Sequence, residues 1–180
     1  MQEPEATLNY MSEFYSNQCS TIENILKCLN QNQVLVVKEH PVDKGALLMN
    51  KFTELRKKYS SLYFIPAEIH GRIVLERATR VVTLTSTVGW EAFIIGKKVY
   101  VLGEIFYDRI VGQDYISNFK QLKEVLRNPA EKNKITIEEI TVFIAKMVEI
   151  SLRGNPFPYE HLYSKENVNN VIEAVYNEVS

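Results

Sequence analysis

The 180 residues carry 21 basic and 22 acidic side chains, a formal net charge of -1, with 46% hydrophobic and 24% charged residues, the balance of an ordinary globular domain. Near-neutrality removes bulk attraction to nucleic acid or an anionic membrane, so any anion must be held by a local site. The length suits one domain able to bury a sizeable core.

The longest apolar runs, such as Val34 to Val37 and Phe93 to Ile95, are far too short to span a bilayer, and Met1 is followed by acidic Glu3 and Glu5 rather than the basic start of a signal peptide. No integral membrane segment is expected. Cys19 and Cys28 would lie on roughly opposite faces of one helix, and no Cys/His set has zinc-like spacing. Both read as reduced thiols of a cytoplasmic protein.

In chain order, Ser20-Thr21-Ile22-Glu23 has the form of a capping box, and Ile22, Ile25, Leu26 and Leu29 follow at the spacing of one helical face, predicting a helix over about 21–29. Asn30 to Asn32 end it. Val34-Leu35-Val36-Val37 is an unbroken apolar run of the kind buried on both faces of a parallel sheet, and predicts a central strand leading into Lys38-Glu39-His40-Pro41. The pattern repeats with a helix near 46–57, a strand over 62–65, a helix near 69–78 and a strand over 81–84. After Thr85-Ser86-Thr87 come a helix to about Ile95, a Gly96 stop and a strand over 99–102. This alternation predicts βαβ units in an open parallel sheet, with its central strands at Val34 to Val37 and Val81 to Leu84. The last third reads as helices over 119–126, 137–152 behind a Thr136-to-Glu139 capping box, and 168–179, all flanking the sheet, with Gly154 to Pro158 as an extended turn.

Ligands of open α/β sheets bind beyond the carboxyl ends of the strands. At Lys38-Glu39-His40-Pro41 a cation and an imidazole leave a predicted strand, suiting a phosphate diester; a self-capping loop with a solvated Lys38 fits equally. At Thr85-Ser86-Thr87-Val88-Gly89-Trp90-Glu91-Ala92, Ser86, Thr87 and the free N–H groups of the coming helix can hold an anion, or the hydroxyls can simply cap that helix. Glu91 is placed to accept from ribose hydroxyls or to match the helix dipole. Gly89 leaves room where a ligand would approach. Trp90 suits a core position better than a stacking platform. Glu104, Tyr107 and Asp108 follow the next strand and form a candidate pocket rim, the alternative being an ordinary loop with Phe106 tucked inward.

The order Pro4-Glu5, Lys38-Glu39-His40-Pro41, Thr85 to Ala92, Gly96-Lys97-Lys98-Val99 and Gly103 to Tyr107 resembles the capsule polysaccharide biosynthesis and surface carbohydrate biosynthesis family, closely over about 1–128 and loosely beyond. Members of that family include Kdo transferases of the GT-B glycosyltransferase fold, whose carboxyl-terminal Rossmann-like half holds a CMP-activated sugar. The resemblance implies a single α/β, Rossmann-like parallel sheet with helices on both faces and extra helices at the carboxyl end. His40 and Pro41 match a His-Pro motif, Ser86 and Thr87 a Ser/Thr motif that contacts the nucleotide phosphate, and Glu91 the acidic residue after it. Lys38 and Gly89 join them as candidate nucleotide-sugar ligands, and Glu5 is the candidate catalytic carboxylate.

In the family an acceptor-binding amino-terminal half precedes the Pro-Glu pair. The 180 residues hold no counterpart of it, nor of most of the strand before Pro4-Glu5, so the chain is expected to be a truncated product, one half of a split enzyme whose amino-terminal half and catalytic base lie on another chain, or a remnant, and to be inactive in isolation. The resemblance requires no cofactor and no metal, and allows a peripheral site at the inner membrane. The competing expectations are a non-catalytic assembly module, or a nucleotide-sugar 2-epimerase-like or glycerophosphotransferase-like protein, whose usual turns are absent at Thr85 to Gly89.

Overall fold

The computed structural model describes residues 15, 17–40, 49–108, 110, 114–129, 135–154 and 162–179. Its elements are α1 (Gln18–Cys28), β1 (Leu35–Lys38), α2 (Met49–Lys58), β2 (Leu62–Ile65), α3 (Gly71–Arg77), β3 (Arg80–Thr83), α4 (Val88–Ile94), β4 (Lys98–Val101), β5 (Asp114–Tyr115), α5 (Phe119–Arg127), α6 (Ile137–Ile150) and α7 (Lys165–Val179). The result is a mixed α/β chain with short parallel strands. It divides into two compact units, Met1–Ile135 and Thr136–Ser180. Helix α5 lies in the first unit, and α6 and α7 lie in the second.

Every strand pair is parallel, in register Leu35 with Leu62, Arg80 with Lys98, and Tyr100 with Asp114. Among the described residues the strands form two sheets, β1-β2 and β3-β4-β5. Among the described residues β1 and β3 each pair on one side, whereas both were expected as central strands. The burial of β1 also differs from expectation, since Val34 is 58% and Val36 42% exposed while Val37 is buried. One face of β1 packs on α1 and α2, through Leu35, Val37, Ile22, Leu26, Phe52 and Leu62. Among the described residues no helix packs on the other face in the same way.

Helix α1 bridges both sheets. Ile22 and Leu26 pack on the β1-β2 side, whereas Ile25 and Cys28 join Tyr100, Leu102, Ile116, Leu122 and Leu126 on the β3-β4-β5 side, with α5. Helix α4 packs on β3 and β4, and its Gly89 faces Thr83, which alternates with Val82 and so points to the face opposite α1.

The caps explain where helix boundaries depart from the reading. The predicted Ser20 capping box does not form; Asn17 caps α1 by accepting from the Ser20 N–H at 3.1 Å. Glu23 is instead taken by the second helix, accepting from Lys58 Nζ at 2.6 Å and Tyr59 Oη at 3.0 Å. The Thr136–Glu139 capping box forms in full. Gly96 ends α4 as expected: at φ +77° it and Lys97 donate to the carbonyls of Phe93 and Ala92, the Schellman arrangement that favours glycine. Gly96→Ala is expected to cost about 1 kcal/mol in a denaturant midpoint, because a Cβ disfavours the left-handed region.

The hydrogen bonds from Lys58 and Tyr59 hold the Glu23 carboxyl down at about 2, against an ordinary 4.5. Since the folded value lies below the unfolded one, the stability it brings is complete above about 4.5 and is lost as the pH falls towards 2. Glu23→Gln should flatten that acid limb and leave the neutral-to-basic limb unchanged, as read by melting temperature against pH.

Candidate functional site

Three strand exits meet at one cavity of about 1160 Å³ in the first unit, open between β1 and β3. Lys38, Glu39 and His40 leave β1, Ala67 to Arg72 lie beyond β2, and Thr85 to Val88 leave β3; all line it, as does Glu91. The parallel pairing causes this, because parallel strands deliver their carboxyl ends to the same edge. Candidates separated by almost 50 positions in sequence thus share one wall.

At the β1 exit, Lys38 Nζ donates to the carbonyls of Glu39 at 2.6 Å and Ala67 at 3.2 Å. Glu39 is buried, and its Oε2 accepts from the Ala67 N–H at 3.2 Å. These contacts tie the ends of β1 and β2 together and hold the half-buried Lys38 at the cavity wall. His40 is half-buried there.

At the β3 exit, the Ser86 N–H donates to Thr83 Oγ1 and the Ser86 Oγ accepts from the Val88 N–H, both at 3.3 Å. Thr87, the residue before α4, makes no side-chain cap bond and is exposed. The capping alternative therefore applies to Ser86 and not to Thr87.

Gly89 does not leave space for a ligand. A Cβ there would meet the Tyr107 hydroxyl and would come within 2.8 Å of the Thr83 methyl, so the glycine is needed for packing beneath the turn. Tyr107 is not a rim residue either; it is fully buried and its hydroxyl donates to the Ser86 carbonyl. Burial pushes that phenol's pKa well above its ordinary value, keeping it a proton donor. Glu104 is exposed and does not line the cavity. Asp108 Oδ2 accepts from the Ile105 N–H at 3.3 Å, closing its own loop. Phe106, tucked inward in the alternative reading, is 47% exposed, with its ring 5.9 Å from Trp90 and 5.0 Å from Tyr107. Trp90 sits among aromatic neighbours, 5.6 Å from Phe93, a packing role. Glu5 and Pro41 lie outside the described residues.

The sequence reading missed His70 and Arg72, which line the same cavity. His70 Nδ1 accepts from the Arg72 N–H and caps α3; a lone His before a weakly periodic segment gave no earlier signal. Among the described residues no group of three His, Cys, Asp or Glu is placed to hold a metal ion, and no helix is long and apolar enough to cross a membrane.

Comparison with known proteins follows the same lines. Protein FixF of Sinorhizobium fredii (strain NBRC 101917 / NGR234) is 34% identical over 82 residues, covering 44% of this chain and 18% of FixF. The chain thus spans under a fifth of that relative. No solved structure matches. Residues 5–140 match the family described as capsule polysaccharide biosynthesis protein, well over half of the sequence, and the chain belongs to that family.

Proposed function

We propose that the chain is the nucleotide-sugar-binding half of a GT-B glycosyltransferase for capsular or surface polysaccharide synthesis, with a Rossmann-like first unit that uses a CMP-activated sugar such as CMP-Kdo. The observation that carries this reading is that His40, beyond β1, and Ser86 and Thr87, beyond β3, line one cavity at the strand carboxyl ends, where open α/β sheets hold their ligands. Family membership supports it independently.

In this scheme the nucleotide phosphate accepts from an imidazole N–H of His40 and from the Thr87 hydroxyl. Lys38 contributes charge from the wall, and Glu91 accepts from the ribose. Stabilising the phosphate as it departs with its negative charge lowers the barrier to transfer. The acceptor and the catalytic base belong to the other half of the enzyme, and the chemistry assigned to these residues uses no metal. Thermal-shift titration with CMP, UDP and CDP tests the assignment, since a ligand that binds only the folded state raises the midpoint with concentration. CMP is expected to raise it most. Equal or absent shifts for all three would remove the nucleotide reading.

A further inference from the structure

The three helices over one face of the sheets are basic out of proportion to the chain. Together α1, α2 and α5 carry eight basic and three acidic side chains, in a chain of formal net charge -1. Helix α1 lies between the other two and contacts both. Lys51 and Lys58 of α2, Lys27 of α1, and Lys120, Lys123 and Arg127 of α5 are exposed. On α5 the cations recur at i, i+3 and i+7, one stripe along the helix away from the buried Leu122 and Leu126. Burial raises the Cys28 thiol above its ordinary value and the charges of Lys123 and Arg127 oppose that rise, so the stripe runs beside the residue next to Lys27. Lys51 and Lys58 share a face of α2 at i and i+7. There Glu23 meets both Lys27, at 3.5 Å, and Lys58, at 2.6 Å. One carboxylate between two ammonium groups leaves positive charge over, and the six cations form a belt across α2, α1 and α5.

Helix dipoles do not account for the excess. They favour acids in the first turn and cations in the last. None of α1, α2 and α5 has an acid in its first turn, whereas α4, α6 and α7 each do. Lys120 stands in the first turn of α5, where the dipole opposes it. Among the described residues no ion pair offsets Lys51, Lys120, Lys123 or Arg127. The belt also lies away from the nucleotide cavity mouth. Helices α1 and α2 end shortly before β1 and β2 begin, and the Leu126 carbonyl of α5 accepts from Gln33 Nε2 at 2.8 Å and Arg80 Nη1 at 2.5 Å, beside the starts of β1 and β3. The last turns of all three helices therefore point to the amino edge of the sheets, opposite the strand exits.

We infer that this belt is a second binding surface, for an anionic polysaccharide chain whose carboxylates lie along it. The inference rests on the proposed function: Kdo is a sugar acid, so each residue transferred adds one carboxylate to the polymer. Charge complementarity argues for a polyanion, and the composition of the belt argues for a glycan. Among the described residues no large apolar side chain of α1, α2 or α5 is exposed, so nothing there inserts into a lipid surface or stacks on a nucleobase. Five of the six cations are lysines, hydrated point charges that attract without the fixed fork geometry of arginine, which suits a chain that must move as it grows. Two interaxial steps of about 8–10 Å make the belt roughly 20 Å wide, enough for several sugar residues.

The test uses the full chain and a labelled oligogalacturonate, a carboxylate-bearing glycan, read by fluorescence anisotropy. It should bind at about 50 mM salt and weaken about tenfold or more at about 200 mM, while neutral dextran of the same length should not bind. The variant Lys120→Gln, Lys123→Gln, Arg127→Gln should lose about tenfold or more in affinity, because it removes half of the belt. Lys146→Gln, Arg153→Gln, Lys165→Gln removes the same charge outside these helices and should bind as the wild type does. All six are exposed, so both variants should keep the wild-type melting temperature. Absent binding, equal binding by the two variants, or dextran binding as well as oligogalacturonate overturns the inference. So does tighter binding of phosphatidylglycerol vesicles or duplex DNA, which would assign the belt to a membrane or to nucleic acid. No nucleotide enters the readout, so failure here is distinguishable from failure of the CMP site.

Discussion

Gly89→Ala is expected to destabilise the chain by about 1–3 kcal/mol, the usual cost of forcing an extra carbon into a packed site. The added Cβ would strike the Tyr107 hydroxyl and the Thr83 methyl. Neither neighbour can retreat cheaply. Tyr107 is fully buried and its hydroxyl holds the Ser86 carbonyl, while Thr83 belongs to β3 and its Oγ1 accepts from the Ser86 N–H. At about 2–4 °C per kcal/mol for a chain of this size, the melting temperature should fall clearly. Tyr107→Phe combined with Gly89→Ala should recover part of the loss, because the hydroxyl is the nearest obstacle. An unchanged melting temperature for Gly89→Ala would mean that the turn is loosely packed and that glycine is there for another reason.

The alternation of strands and helices was legible because it rests on local pattern. Strand β2 falls at 62–65 as read, and β3 and β4 begin one residue earlier than read. The two-residue β5 carries too little pattern to be seen. Cap choice was only half legible: Thr136 and Glu139 form their box, whereas Glu23 is drawn off by Lys58 at the end of α2 and by Tyr59 just after it, the Lys58 contact lying 35 residues away. The exposure of Val34 and Val36 was not legible either. An unbroken apolar run records what a strand needs beside it, not whether these residues supply it.

The residues just after β1 and β3 line one cavity, a convergence legible in sequence because strand exits are predictable from chain order. Orientation within a turn is not. Phe106 and Tyr107 are adjacent aromatics, and only the fit of the Tyr107 hydroxyl under Ser86 decides which one turns inward. The partners of Lys38 were not legible in sequence, since they are backbone carbonyls of Glu39 and of Ala67 beyond another strand.

His40→Ala is the second large effect. If the imidazole donates to a nucleotide phosphate, the variant should weaken CMP binding by about 1.5–3 kcal/mol, the range for a hydrogen bond to a charged group, or roughly ten- to hundredfold. Stability without ligand should hardly change, because His40 lines the cavity rather than the core. A purely structural role reverses both expectations. Thr87→Ala provides a milder companion, since its hydroxyl does not cap α4 and its loss should act on affinity alone. The most direct measurement is calorimetric titration of CMP into the wild-type chain and His40→Ala, with the unliganded melting temperature of each. A ten- to hundredfold loss of affinity at unchanged melting temperature is the predicted result; equal affinities with a lowered melting temperature would contradict the nucleotide site.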